Sequence, residues 1–569
     1  MGLLHPFCAE SGEMINLHKS FVKFSPNTPQ DYNEALGCSL RLRVAPSFGS
    51  YLGLPMDLGR SKVNDFGFLI DKVAALLASF ASLRLSAAAK LIIINSILVA
   101  SFNHVLSVFK IPSTICSHID NLLARFWWRS SVGSKGLALR SASLLHLPKG
   151  LGGLGIRNIG CFNSALLARQ GDRMSHNPQL LVSRLLFSKY PTRRSRPELR
   201  ILRSSWGCRS LQVGFSTLAS GTMWKVGIGS QVRILADTWV PNGPPTLREG
   251  VSESNLPNHV SSLIDPRSNA WDTVKVHRMF DAVMAVRILA LERPSQRMDD
   301  FFYWKHTRDG IFLTKSAYTS LVCATSHRSG TDLVFPQWWR RFWGLPLLPK
   351  WKVFGWKLLR NALPVAAVLI QRGISVDPLC SFCHVEEETV GHLFRDCEVV
   401  KHLFLRSSLA FSLHDLSAQS FQIWLVDVIS TFSSSKDWNS LTSLFALLWV
   451  IWISINNFRF RWQSLVSEDV LVLASSWVIR CQEAQRFVVA INRPLTRIPS
   501  GLFGSTFLLS GDSSRSLEFC VILDSSWSVR DNTAGVGWVF RTPDSSLFLG
   551  GGARATCASS AIHAELLAC

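Results

Sequence analysis

The sequence is short of acidic residues. Asp and Glu number 39 against 60 Lys and Arg, which leaves a formal charge of +21 and a pI near 9.8. Such an imbalance suits a polyanionic partner, either nucleic acid or an anionic membrane surface. Charge of either sign is sparse, at 17% of residues against 47% hydrophobic, and this argues against wholesale disorder. Closely spaced cysteines of the kind that staple small secreted scaffolds are also lacking. Ten of the thirteen cysteines lie outside residues 380–397 and stand alone, so they read as free thiols in a reducing, intracellular compartment, nucleus or cytoplasm. The opening "MGLLHPFCAE" has no basic start followed by an apolar run, and Pro6 stands where a myristoylation pattern needs Ser or Thr. No internal repeat is evident.

One uncharged stretch lies between Asp437 and Arg459. Its length approaches that of a membrane span. Asn, Ser and Thr flank a short apolar centre, Leu444 to Ile453, so a buried core helix is the expectation, with no stable membrane association. At 569 residues the chain is too long for one ordinary core. Apolar residues at three- and four-residue steps predict helices over 63–110 and again after "IPSTIC". The glycines of "LPKGLGGLGIRNIG" predict a turn-rich connector. "GTMWKVGIGSQVRILADTWVP" alternates like short strands or a hairpin, and "FFYWKHTRDGIFLTKSAY" reads as a second hairpin turning at Asp309-Gly310. Helices resume in "WWRRFWGLPLLPKWKVFGWKLLRNALPV", where cations alternate with tryptophans. That pattern fits phosphate contact with base stacking, and equally cations lying over an aromatic core.

The sharpest chemical signal is "DPLCSFCHVEEETVGHLFRDC". Cys380, Cys383, His392 and Cys397 give Cys-x2-Cys-x8-His-x4-Cys. Three thiolates and an imidazole are a tetrahedral donor set for structural Zn2+, with no position left open for catalysis. The alternative is three incidental thiols, and His384 is a competing donor constrained by its place next to Cys383. A Ser/Gly-rich break follows at 498–516, and then a β-β-β-α order. There Asp524 sits in a strand and Glu565 in a helix start, a carboxylate pair able to hold Mg2+. The adjacent aspartates Asp299-Asp300 resemble a polymerase pair, but no hydrophobic strand precedes them, so they read as a solvated turn.

Several separated stretches together resemble the C-terminal part of a plant LINE-type (non-LTR) retrotransposon reverse transcriptase. "FCAESGEMINLHKSFVKFS" and "SYLGLPMDLGR" are similar to the end of the palm. "FWW" at Phe126–Trp128 and the glycine-rich connector are similar to the thumb. "WKVGIGSQVRILADTWVP" matches the connecting region, "WKHTRDGIFLTKSAY" through Cys397 the zinc-binding domain, and "ILDSSW" with "AELLAC" the opening of a type-1 ribonuclease H domain.

The resemblance implies a palm remnant over 1–60, a thumb-like helical region over 61–200 and a connecting region with short strands over 201–298. It further implies a zinc-binding domain over 299–405, a helical linker over 406–515 and a truncated ribonuclease H domain over 516–569. The expected fold is mainly α with small β hairpins, ending in an incomplete α/β ribonuclease-H-like unit. The family's polymerase aspartates fall before the stretch that opens this chain. Asp524 and Glu565 match the first two of the nuclease carboxylates, with Ser525-Ser526 where Gly-Ala is usual. The expected function is therefore binding of RNA, DNA or their hybrid around a structural Zn2+, without polymerase or nuclease activity. Mg2+ enters only if the ribonuclease site works. The rival expectation is a non-enzymatic, host-retained RNA- or protein-interaction protein, or a product that does not fold stably.

Overall fold

The computed structural model describes residues 4–492, apart from 190–203 and several shorter stretches, and three strands between 520 and 557. It divides into two units, Met1–Arg486 and Phe487–Cys569.

The first unit is mainly helical, and local chemistry sets where its helices start. Ser86, Asn158 and Ser205 each accept a hydrogen bond from the amide three residues on, opening helices Ala87–Ile93, Ile159–His176 and Trp206–Gly221. Pro112 precedes helix Ser113–Trp128, while Pro336 and Pro349 open helices Pro336–Gly344 and Pro349–Leu359. Two long helices cross closely because one carries glycine at the contact: a Cβ on Gly214 would lie 2.3 Å from the Leu167 carbonyl oxygen.

One hydrophobic core runs from Phe66 to Cys481. It joins the helices of 66–128 to Trp339, Trp351 and Trp356, to Cys380 and Cys397, and to helix Trp438–Arg461. The uncharged stretch is thus a helix with Leu441, Phe445, Leu448 and Ile451 buried in this core. Residues 87–106 and 438–461 are both long and apolar enough to cross a bilayer, and both contribute to the same interior. The glycine-rich connector docks the two halves. Gly152, at φ +84°, presents its carbonyl to Trp356 Nε1 at 2.9 Å and Arg360 Nε at 3.2 Å. The interleaved cations lie over aromatic faces: Lys357 over Trp127, Lys350 over Trp477 and Lys149 over Trp343.

Residues 222–304 hold a second, smaller core around Trp224, Val232, Trp239 and Phe280. Here the short strand read in the first stretch forms, and both hairpin readings are corrected. Strand Thr222–Lys225 pairs antiparallel with Phe301–Trp304, and its tie to its own downstream sequence is a hydrogen bond from Trp224 N to the Thr238 carbonyl at 2.9 Å, not a ladder. Asp300 explains the choice of partner. Its buried carboxylate accepts from the amides of Gly227 (2.7 Å), Gly229 (2.8 Å) and Gln231 (2.9 Å), which draws 301–304 alongside 222–225. Three amide donors from a glycine-punctuated turn form a concave anion seat, filled here by the chain's own carboxylate. Asp300 is therefore a buried anchor and not part of a solvated turn. The Asp309-Gly310 turn does form, with Trp304 N donating to the Gly310 carbonyl at 2.8 Å. Its second arm is not a strand, because helix Thr314–Thr325 begins three residues after Ile311.

In the second unit, Cys520–Ser528, Thr533–Arg541 and Phe548–Cys557 form a three-stranded antiparallel sheet in chain order. The Ser/Gly-rich break and the helix start bearing Glu565 lie outside the described residues.

Candidate metal centre

The cysteine–histidine stretch folds around a short antiparallel bridge between Leu379 and Glu387. Asp377 starts the turn by accepting from the amide of Leu379 at 3.0 Å. Cys380 N then donates to the Glu386 carbonyl, and Glu388 N to the Pro378 carbonyl, both at 2.8 Å. Between these rungs the chain reverses through His384, whose φ of +56° is left-handed, and His384 N donates to the Cys380 carbonyl. The His384 ring faces Phe458, with centroids 6.4 Å apart, and is not part of the donor group.

The four-residue gap between His392 and Cys397 is longer than an α-helical turn allows. The chain resolves it with a single π-helical turn, His392–Asp396, closed by Cys397 N donating to the His392 carbonyl at 2.8 Å. Cys397 then caps helix Glu398–Arg406.

These turns bring the ligand atoms of Cys380, Cys383, His392 and Cys397 within 4.8 Å of one another. Cys380 Sγ and Cys397 Sγ are 4.0 Å apart, and Cys383 Sγ is 3.3 Å from His392 Nε2. Zn–S bonds of about 2.3 Å in a tetrahedron set sulfur–sulfur edges of about 3.8 Å, so the group fits one zinc ion. The surroundings favour thiolates. Phe382 and Cys383 aim backbone amides at the Cys380 sulfur, Val385 and Glu386 at Cys383, and Val399 and Val400 at Cys397. The last pair are the first amides of a helix, whose dipole adds to the effect.

Without an ion the donors share protons unequally. An S–H from Cys397 holds the Cys380 thiol well below the usual thiol range, and the Cys397 thiol is pushed up in return. Hydrogen bonding to Cys380 raises His392 to about 9. These are the protons that a bound metal displaces. Cys380 and Cys397 are fully buried and the other two donors half-buried. Four protein donors leave no place for a substrate.

A second group of residues lies against the turn, and sequence reasoning missed it. Glu388 is fully buried and ion-paired with Arg459 at 2.7 Å, and Arg459 also donates to Ser381 at 3.0 Å. The acidic run Glu386–Glu388 carries no sign of which carboxylate turns inward, and Arg459 is 71 residues away. The carboxylates of the second unit stand differently. Asp524 lies in strand Cys520–Ser528 in register with Gly537, while Glu565 is outside the described residues.

The fold and donors together define a Cys3His metal module inside a helical core. Residues 312–404 match the family described as zinc-binding in reverse transcriptase. A putative ribonuclease H protein of Arabidopsis thaliana is 25% identical over 407 residues, covering 70% of this chain and 65% of that protein. An uncharacterized mitochondrial protein of the same plant is 31% identical over 144 residues, covering 25% of this chain and 94% of that protein. The chain thus spans about two thirds of the first of these curated relatives. It belongs to the retrotransposon reverse-transcriptase family and corresponds to part of the C-terminal region.

Proposed function

We propose that this chain is a nucleic-acid-binding region of a retroelement reverse transcriptase, with Cys380, Cys383, His392 and Cys397 holding a structural Zn2+ that does no chemistry. The observation that carries the zinc reading is the closed four-donor group with backbone amides on all three sulfurs. Nucleic-acid binding is supported by a set of lysines in the helical unit. Lys90 is buried, Lys149 is exposed and Lys350, Lys352 and Lys357 are half-buried, and among the described residues no carboxylate pairs with them. Burial depresses each, and Lys350 and Lys357 fall to about 8, with Arg480 and Lys90 respectively adding repulsion. Phosphate would relieve that strain.

Polymerase chemistry is not assigned to these residues. The one adjacent aspartate pair spends Asp300 on three backbone amides. The name of the larger relative, and Asp524 on a strand, support a ribonuclease-H-like second unit. Hybrid cleavage is assigned to neither Asp524 nor Glu565.

Titration of a labelled RNA–DNA hybrid with the purified chain tests this reading. Binding is expected to weaken by about 10³ between 50 and 200 mM salt if six phosphates are contacted. It should also weaken as pH rises through 8, where Lys350 and Lys357 lose their protons. Their effect on folding runs the other way. Between about 8 and 10.5 the unfolded chain binds more protons, so their contribution to stability rises with pH over that window. Salt-insensitive binding would favour a protein-interaction role instead. Hybrid cleavage in Mg2+ that is lost in Asp524→Asn would overturn the inactive reading.

A further inference from the structure

The Cys-x2-Cys turn is tied to a distant helix through one buried carboxylate. Both oxygens of Glu388 are engaged. Oε1 accepts from Ala366 N at 3.1 Å, at the start of helix Ala366–Ile370. Oε2 accepts from Arg459 Nη2 at 2.7 Å and from the Ser381 hydroxyl at 3.4 Å. Arg459 closes the triangle by donating Nε to Ser381 Oγ at 3.0 Å. Ser381 directly follows Cys380, and Arg459 sits in the last turn of helix Trp438–Arg461. The backbone of Glu388 adds two ties, its amide to Pro378 and its carbonyl to Ala367 N.

A buried ion pair is a poor source of bare stability, because desolvating both charges offsets most of their attraction. What the guanidinium fork does supply is direction. It fixes the hydroxyl of Ser381, one of the two residues between the turn cysteines, and so the angle at which Cys380 and Cys383 present their sulfurs. We propose that Glu388 and Arg459 are positioning residues for the metal, coupling its binding to the C-terminal turn of helix Trp438–Arg461. Coupling is reciprocal, so the ion should steady that helix end as much as the helix end steadies the ion.

The inference rests on the zinc reading and is tested on the full chain by competition with a chromophoric chelator. Glu388→Gln and Arg459→Met are each expected to weaken zinc about 10- to 100-fold, as outer-shell substitutions do. The double variant Glu388→Met with Arg459→Met separates positioning from folding. Replacing both charges by apolar groups should return thermal stability towards the parent, while zinc affinity stays at least about tenfold low. Affinity that recovers with stability, or that changes less than twofold in the single variants, overturns the proposal and leaves the zinc reading standing. A parent chain that binds no zinc overturns both. A measurement on the parent alone is independent of how the variants fold. Adding Zn2+ should slow amide exchange over residues 455–461 and leave helix Trp206–Gly221 unchanged. No slowing at 455–461 contradicts the coupling.

Discussion

The turn at 227–231 and the turn at 380–383 are both poor in regular structure, and different agents hold them. In the first, glycines let three amides converge, and Asp300 fills the seat from the neighbouring strand. In the second, the backbone amides converge on sulfur, and the sulfurs converge on one another. The first arrangement is complete as the chain folds. The second crowds three thiols and an imidazole whose protons conflict until an ion replaces them. One turn should therefore depend on metal and the other should not, although both rest on the same device of amides aimed at negative charge.

The largest expected effect falls on the metal-free turn. Asp300→Ala leaves two buried amides, of Gly227 and Gly229, and the part-buried amide of Gln231 without their acceptor, at about 1–3 kcal/mol for each buried one. Urea unfolding of the full chain should show a loss of several kcal/mol, with amide protection lost over 222–231 and 301–304. Excess zinc should restore none of it. A loss below about 1 kcal/mol would show that water replaces the carboxylate easily, and would erase the difference between the two turns.

A chelator should have a smaller, local effect. Amide exchange is expected to quicken over 377–404, and over the end of helix Trp438–Arg461, while 222–304 keeps its protection. Uniform quickening across both would break the comparison, because the smaller core would then depend on the metal too.

The two turns also differ in how readable they were. Cys-x2-Cys-x8-His-x4-Cys announces itself because few other roles gather those residue types at that spacing. The π-helical turn that makes the last gap work is invisible, since nothing in "HLFRD" distinguishes it from an α-helical turn. Asp300 was misread because its meaning depends on amides some seventy residues earlier in the chain. Strand alternation in 222–225 and 301–304 was legible, but pairing was not, because local pattern favours the nearest partner and Asp300 selects a remote one. The buried helix Trp438–Arg461 was read from the polar residues flanking its apolar centre. The basic and aromatic stretch 338–365 was evenly balanced in sequence. In the structure Lys350 and Lys357 lie over tryptophans and so cover the core. Glu388 and Arg459 carried no signal at all, being ordinary charges until packing turns them inward.

The measurement closest to the central claim is the metal content of the purified full chain. About one zinc ion per chain is expected, falling to none in Cys380→Ser and staying at one in His384→Ala, whose ring points to Phe458 instead of the donors. A parent chain without zinc, or zinc retained by Cys380→Ser and lost by His384→Ala, would contradict the account.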